Sequence, residues 1–163
     1  MRGVYVRAMN PSDAWPLAAG PARFTCTEVA DVAAASSVRE RFGRWLRRHT
    51  ELTETRLCDV ILAVNEALAN AVEFAYAGDR GLGSFDLAAV YDFLGGVLTV
   101  HITDQGLWRN RDPLLTDRCR GRGIILMRAV ADAVVIDTSA VGTSVCLRFE
   151  NLHTPLAGEP VLS

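Results

Sequence analysis

The sequence predicts an α+β fold, a two-layer sandwich in which one mixed or antiparallel sheet is covered on one face by about three helices. Two observations predict it. Segments with the alternating apolar pattern of strands come in neighbouring pairs joined by short glycine-containing turns, as in antiparallel hairpins. Segments with helical apolar spacing stand before and between these pairs, and they do not alternate with single strands as in a doubly wound α/β sheet.

The composition is that of an ordinary globular protein. The chain has 163 residues, 50% of them hydrophobic and 22% charged, which suits one domain with a real core. We expect that domain at 21–151, after an irregular lead-in at 1–20 and before a flexible tail at 152–163. The net charge of -2 gives no reason to expect direct nucleic-acid binding. The chain has neither a secretory signal nor an apolar stretch near the ~20 residues that span a bilayer, so we expect a cytoplasmic protein without membrane contact.

The four cysteines are widely scattered and show no metal-binding spacing. Cys26, Cys58 and Cys146 stand among apolar residues and are expected to be reduced thiols that act as small core residues. Cys119 lies in a polar, arginine-rich segment, where a redox role is an alternative.

The first elements are a strand and a helix. "ARFTCTEV" (22–29) alternates as a strand, and Asp31 stands where it could cap a helix that runs to about His49. The inward-facing stripe of this helix consists of Val32, Ala35, Val38, Phe42, Trp45 and Leu46.

A second helix and a hairpin follow. The helix is expected to begin near residues 53–55 and to end near Tyr76. "SFDLAAVYDF" (84–93) and "VLTVHITD" (97–104) are two strands joined by a Gly-Gly dipeptide suited to a tight turn. The inward stripe of the helix consists of Leu57, Ile61, Val64, Leu68, Val72 and Ala75.

The last part of the chain repeats a helix and a hairpin. Residues 105–121 read as a polar loop, and "GIILMRAVAD" (123–132) as a short helix. "AVVIDTS" (133–139) and "TSVCLRFE" (143–150) then complete the sheet, turning at residues 140–142.

The helical stretch "NEALANAVEFAY" (65–76) carries a carboxylate and an amide four residues apart, Glu66 and Asn70, which a helix places on one face. Asn is a mediocre helix former, so its presence among alanines invites a functional explanation. An amide oxygen beside a carboxylate suits Mg²⁺, and the carboxylate could orient or deprotonate a nucleophile. A solvated polar stripe is the alternative.

Two strand ends carry further candidates. Asp104 and Gly106 end an apolar strand in "HITDQGLW", where the carboxylate could accept a hydrogen bond from an amino group such as that of adenine. The glycine would let a flat ring approach the backbone. Gly142 and Thr143 open the last strand, where the hydroxyl could join a polar cluster at a ligand's edge. Plain turns are the alternative at both places.

Spaced glycines precede the short helix in "RCRGRGIILMRAV" (118–130). Gly121 and Gly123 stand where free N–H groups and the helix dipole can bind an anion. A glycine-containing loop in water is the alternative. Positive charge is added there by Arg118, Arg120 and Arg122.

The order and spacing of these elements resemble the GHKL (Bergerat) ATP-binding fold that gyrase, histidine kinases and related ATPases share. "AVNEALANAV" (63–72) and "GRGIILMRAVAD" (121–132) are most similar to the anti-sigma-factor serine/threonine kinases of the RsbW type. The resemblance covers residues 22–150, nearly all of the expected domain.

The resemblance implies a role for each candidate residue. Asn70 would bind the Mg²⁺ that bridges the phosphates of ATP, and Glu66 would be the base that activates an attacking hydroxyl. The amides around Gly121 and Gly123 would hold the phosphates, and a neutralising side chain would come from Arg118, Arg120 or Arg122.

For the adenine end, the resemblance implies that Asp104 recognises the amino group. Gly106 would give the ring room, and Thr143 would support the contact through water.

The resemblance also implies partners. The target hydroxyl would belong to a serine or threonine of an anti-anti-sigma factor, and phosphorylating that partner would leave the kinase free to hold a sigma factor. The family often forms homodimers.

Two positions depart from the pattern, because Phe74 stands where a histidine is frequent and Leu107 where a second glycine is frequent. Two other hypotheses remain. One is a non-catalytic, nucleotide-responsive anti-sigma switch, and the other is an unrelated α+β domain that binds no nucleotide.

Overall fold

The structure is a computed structural model that describes residues 20–75, 83–105, 122–139 and 141–152. In chain order its elements are β1 (Ala22–Val29), α1 (Val32–His49), α2 (Glu54–Ala75), β2 (Ser84–Asp92), β3 (Val97–Asp104), α3 (Arg122–Val130), β4 (Ala133–Ser139) and β5 (Gly142–Phe149). The five strands form one sheet in the order β1-β2-β3-β5-β4, with antiparallel pairing at each contact between these strands. The predicted α+β sandwich is confirmed, with a sheet that is antiparallel and not mixed.

Local signals in the sequence account for the ends of the early elements. The carboxylate of Asp31 accepts a hydrogen bond of 2.7 Å from the backbone N–H of Ala34, so the predicted N-cap of α1 is confirmed. The β2–β3 hairpin turns where the Gly-Gly dipeptide predicts it, and Gly96 has a φ of 59°, which favours glycine. These short-range features set the strands and helices before any long-range packing.

The three helices cover one face of the sheet. α1 packs on β1, α2 packs on β3 and β5, and α3 packs on β4 and on α2. The core between the layers is apolar, and its largest fully buried side chains include Phe42, Phe85 and Phe149. On β3 and β5 the helix-facing positions are apolar until each strand reaches the same end of the sheet, where Asp104 pairs with Thr143.

The predicted inward-facing stripe of α1 is wrong at its first residue. Val38, Phe42 and Leu46 are fully buried as predicted, but Val32 is 74% exposed. The reason is its position, since Val32 lies at an open groove between α1 and α2 that Leu68 also lines. Helical periodicity identifies the apolar face of α1 but does not reveal how far its neighbours extend along it.

The cysteines differ in their surroundings. Cys26 and Cys146 are free and half-buried, Cys26 packs against the core, and burial raises the pKa of both thiols. Cys58 is also free but is exposed on α2, so the expectation of a core position is wrong for it. Cys119 lies outside the described residues.

Leu152, the last residue that the structure describes, packs against the domain. Leu152 is 2% exposed, its N–H donates to the carbonyl oxygen of Gly96, and its own carbonyl accepts from the hydroxyl of Tyr91. Of α1, α2 and α3, the described helices, none combines the length and the apolarity needed to cross a lipid bilayer.

Candidate functional site

Glu66 and Asn70 lie on α2 and are both half-buried. The alanines around them, Ala63, Ala67 and Ala71, are at most 1% exposed. Because alanine is small, α2 can approach its neighbours closely along this length, which explains the alanine-rich sequence. A stripe of freely solvated polar residues, the alternative to a functional pair, would be exposed.

Gly123 brings the first turn of α3 against this polar pair. A Cβ added to Gly123 would lie 2.9 Å from Oε2 of Glu66 and 3.8 Å from Oδ1 of Asn70. A glycine is therefore required for α3 to approach α2 without displacing the carboxylate. The structure thus brings three of the predicted site residues together, although Gly123 lies more than fifty positions after Glu66 and Asn70 in the sequence.

This contact combines two kinds of binding chemistry. The first N–H groups of a helix have no partner within the helix and carry the positive end of its dipole, so the start of α3 can bind an anion. Glu66 and Asn70 add two oxygen-bearing side chains beside it. An anion site next to oxygen ligands is what a phosphate chain with a bound divalent cation requires.

The donor set fits Mg²⁺ only in part. The described ranges contain no group of three or more His, Cys, Asp or Glu residues that could hold a metal ion. Mg²⁺ in nucleotide sites usually takes one or two protein oxygens and completes its shell with phosphates and water. The amide oxygen of Asn70, beside the carboxylate of Glu66, could supply such a ligand.

The second part of the site lies at the end of the sheet. Asp104 is the last residue of β3 and pairs in register with Thr143 of β5, and each is only 4% exposed. Gly142 precedes Thr143, and a Cβ added to it would overlap the backbone oxygen of Asp104. The backbones therefore meet here more closely than any other residue type at this position would allow. The sequence interpretation treated Gly142 as a turn residue and missed this role, although a glycine at the start of a strand can mark a close backbone approach.

Thr143 carries a buried hydroxyl group. Its Oγ1 is buried and has no hydrogen-bond partner within the part of the chain that the structure describes. A buried hydroxyl without a partner costs about 1–3 kcal/mol, so such groups usually serve a ligand or a water. Asp104 pairs with Thr143 in register. The strand ends therefore offer a hydroxyl donor and carboxylate acceptors to the polar edge of a bound ring.

The other predicted site residues are placed only in part. Arg122 is the first residue of α3 and is exposed, so its guanidinium is available beside the anion site. Gly106, Arg120 and Gly121 lie outside the described residues, and their roles stay predictions.

Together, these features define a class of protein. In an antiparallel α+β sandwich, the start of α3 lies beside a carboxylate and an amide, and a buried polar pair lies at the end of the sheet. This arrangement suits a nucleotide-binding domain. A model of the histidine kinase-like ATPase domain matches residues 29–149, well over half of the chain. The chain belongs to this family of ATP-binding domains, which confirms the superfamily that its motifs resemble.

A solved structure supports the same assignment. The chain is similar to the crystal structure of the RsbU and RsbW domains of Rv1364c from Mycobacterium tuberculosis, with a TM-score of 0.62 and 25% sequence identity. The match covers 79% of this chain and 32% of that chain, so this protein spans about a third of the length of its neighbour.

Proposed function

We propose that this protein is an ATP-dependent serine/threonine kinase and anti-sigma factor. It phosphorylates an anti-anti-sigma partner and sequesters a sigma factor, and so regulates transcription. The observation that carries the proposal is the contact of α3 with Glu66 and Asn70, in which Gly123 leaves just enough room for the carboxylate. The family supports the use of ATP. The similar structure contains an RsbW domain, the type that the motifs of this chain resemble, and that resemblance supports the kinase and anti-sigma roles.

The adenine end of ATP lies at the end of the sheet. Asp104 accepts a hydrogen bond from the adenine amino group, and the hydroxyl of Thr143 forms a hydrogen bond there, either directly or through water. Gly106 leaves room for the ring. The burial of Asp104 and Thr143 supports this role, because water competes little for a buried hydrogen bond.

The phosphates lie at the start of α3. Asn70 holds Mg²⁺, which when bound neutralises charge on the phosphates of ATP. The amides of Gly121 and Gly123 donate to phosphate oxygens, and Arg120 and Arg122 supply positive charge. The orientation of α3, with its first turn beside Asn70, supports this assignment.

Glu66 moves the proton in the transfer step. Its carboxylate accepts the proton of a serine or threonine hydroxyl on the partner, and the hydroxyl oxygen forms a bond to the γ-phosphorus. The bond between that phosphorus and the bridging oxygen breaks, and ADP leaves with the electron pair. The proton on Glu66 then passes to water.

The proposal includes the cellular setting. The protein acts in the cytoplasm, has two protein partners, and touches neither nucleic acid nor membrane directly. A homodimer is the proposed assembly.

The test is transfer of labelled γ-phosphate from ATP to anti-anti-sigma proteins of the same organism. Glu66→Ala is expected to reduce transfer by about 10²- to 10⁴-fold, the usual contribution of a general base, while most of the ATP affinity remains. The matched control is Glu73→Ala, which removes an exposed carboxylate from the same helix and should transfer label like the unaltered protein.

The outcomes separate the hypotheses. Label on a serine or threonine, lost in Glu66→Ala and kept in Glu73→Ala, supports the kinase. Binding of ATP without transfer to any candidate partner would instead favour the nucleotide-responsive switch. Equal transfer by both variants would show that Glu66 is not the base.

A further inference from the structure

Arg56, near the start of α2, makes an unusual set of contacts for a side chain that is 28% exposed. Its Nη1 donates to the carbonyl oxygen of Val130 at 2.9 Å, and its Nη2 donates to Oδ2 of Asp132 at 2.5 Å. Its guanidinium also lies over the ring of Phe149, 5.6 Å from the centroid. One side chain of α2 therefore joins the end of α3 to the end of β5.

The carbonyl that Arg56 contacts belongs to the last residue of α3. The last carbonyls of a helix have no partner within it and carry the negative end of its dipole, so a guanidinium is well matched to this position. Asp132 strengthens the arrangement, because the same Oδ2 accepts from the N–H of Glu150 at 2.8 Å. The C-terminal end of α3 is thus tied to two neighbouring elements.

As a result, α2 holds α3 at both of its ends. The first turn of α3 rests at Gly123 on Glu66 and Asn70, and its last residue is bound by Arg56. At about 1.5 Å per residue, Arg56 and Glu66 are about 15 Å apart along α2, and the two contact points on α3 are about 10 Å apart. The helices therefore run antiparallel, and the two contacts oppose a slide of α3 along α2.

We propose that Arg56 is a positioning residue for the phosphate site: by fixing the C-terminal end of α3, it fixes where the N–H groups of the first turn stand relative to Glu66 and Asn70. This inference rests on the proposed function in one respect, that the first turn of α3 binds phosphate. Positioning matters because a displacement of about 1 Å in a catalytic site can cost about 100-fold in rate.

A second arginine provides a matched control. Arg148 also forms an ion pair near the end of β5, with its Nε 2.8 Å from Oε1 of Glu150. Both of these side chains are about half exposed. The links of Arg148 and Glu150 to Asp132, just after α3, run through backbone atoms, which an alanine variant of Arg148 keeps. Arg148→Ala removes the same charge from the same neighbourhood without releasing that helix.

The experiment compares Arg56→Ala, Arg56→Lys and Arg148→Ala in the full chain, at a temperature well below all of their Tm values. The measurements are the Kd for ATP with Mg²⁺, the rate of phosphate transfer, and amide hydrogen exchange at residues 126–129, whose N–H groups donate to carbonyl oxygens of the first turn of α3. For Arg56→Ala we expect transfer to fall about 10- to 100-fold, with weaker ATP binding and faster exchange at these amides. Arg56→Lys should recover part of the loss, because an ammonium group can reach the carbonyl or the carboxylate but lacks the fork that contacts both.

Either result decides the proposal. If Arg56→Ala lowers only the Tm, and ATP affinity, transfer and exchange at residues 126–129 match those of Arg148→Ala, Arg56 is a structural residue and the inference is wrong. Should Arg56→Ala fail to fold, Arg56→Lys is compared with Arg148→Ala in the same way. If the unaltered protein neither binds ATP nor transfers phosphate, the proposed function fails, and exchange at residues 126–129 still shows whether Arg56 positions the first turn of α3.

Discussion

The two parts of the site meet their neighbours through different kinds of atoms. At the end of the sheet, Gly142 approaches the backbone oxygen of Asp104, whereas on the helices Gly123 approaches the carboxylate tip of Glu66. Backbone in a paired strand cannot move without breaking the sheet, but the tip of a glutamate can rotate away. Gly142 therefore preserves the fold, whereas Gly123 preserves the position of the Glu66 carboxylate, the proposed base.

The largest effect is expected for Gly142→Ala. A Cβ there would overlap backbone, and the φ of 156° is also unfavourable for alanine, so we expect a loss of about 3 kcal/mol or more in the free energy of unfolding. Urea unfolding measures it. Gly20→Ala is the control, because Gly20 has a φ of 120° with nothing within 4 Å of an added Cβ. Equal losses in the two variants would contradict the importance of the contact with Asp104.

Gly123→Ala should have the opposite effect to Gly142→Ala, with little change in stability and a clear loss of phosphate transfer. The added methyl displaces the carboxylate of Glu66, and the higher helix propensity of alanine offsets about 1 kcal/mol of any strain. We expect the free energy of unfolding to change by less than about 1 kcal/mol and phosphate transfer to fall about tenfold.

The control for Gly123→Ala is Gly43→Ala in α1, where an added Cβ would meet Cδ1 of Ile61 at 3.4 Å. It should gain or keep stability and leave transfer unchanged. Full transfer by Gly123→Ala would mean that the position of the Glu66 carboxylate is not critical.

The smallest effect tests the end of the sheet without disturbing its backbone. Thr143→Val removes the buried hydroxyl that lacks a partner in the described structure, so the ligand-free protein should keep its stability or gain about 1 kcal/mol. ATP affinity should fall about 2- to 10-fold, the value of one hydrogen bond, as measured by calorimetry.

Thr99→Val makes the same exchange at another buried threonine of the sheet. It should leave ATP affinity unchanged. If Thr143→Val binds ATP as tightly as Thr99→Val does, the hydroxyl of Thr143 does not serve the nucleotide.

Most of the fold could be predicted because its signals are local. The cap at Asp31, the turn at Gly96 and the apolar alternation of the strands each depend on neighbours in sequence, and they placed the elements correctly. The exposure of Val32 could not be predicted, because it depends on how far α2 extends beside it.

The site could be predicted only as separate candidates. Glu66, Asn70 and Gly123 stood out by residue type, but their contact depends on how α3 docks on α2. The contacts behind the proposed role of Arg56 left no local signal, since Val130 and Asp132 lie more than seventy positions away in the chain. The close approach of Gly142 depends likewise on the register of two strands that are distant in sequence.

The strand order has a consequence for the way the domain closes. β2–β3 and β4–β5 are hairpins that can form within their own segments, whereas β3 and β5 pair only after the chain between them, with α3, has folded back. Asp104 and Thr143 lie at the end of this long-range seam. Closing such a loop costs entropy before its contacts form, so the seam is expected to join late in folding. A nucleotide bound at this end of β3 and β5 would stabilise their pairing. Because the pairing forms late, the nucleotide would slow unfolding more than it would speed folding.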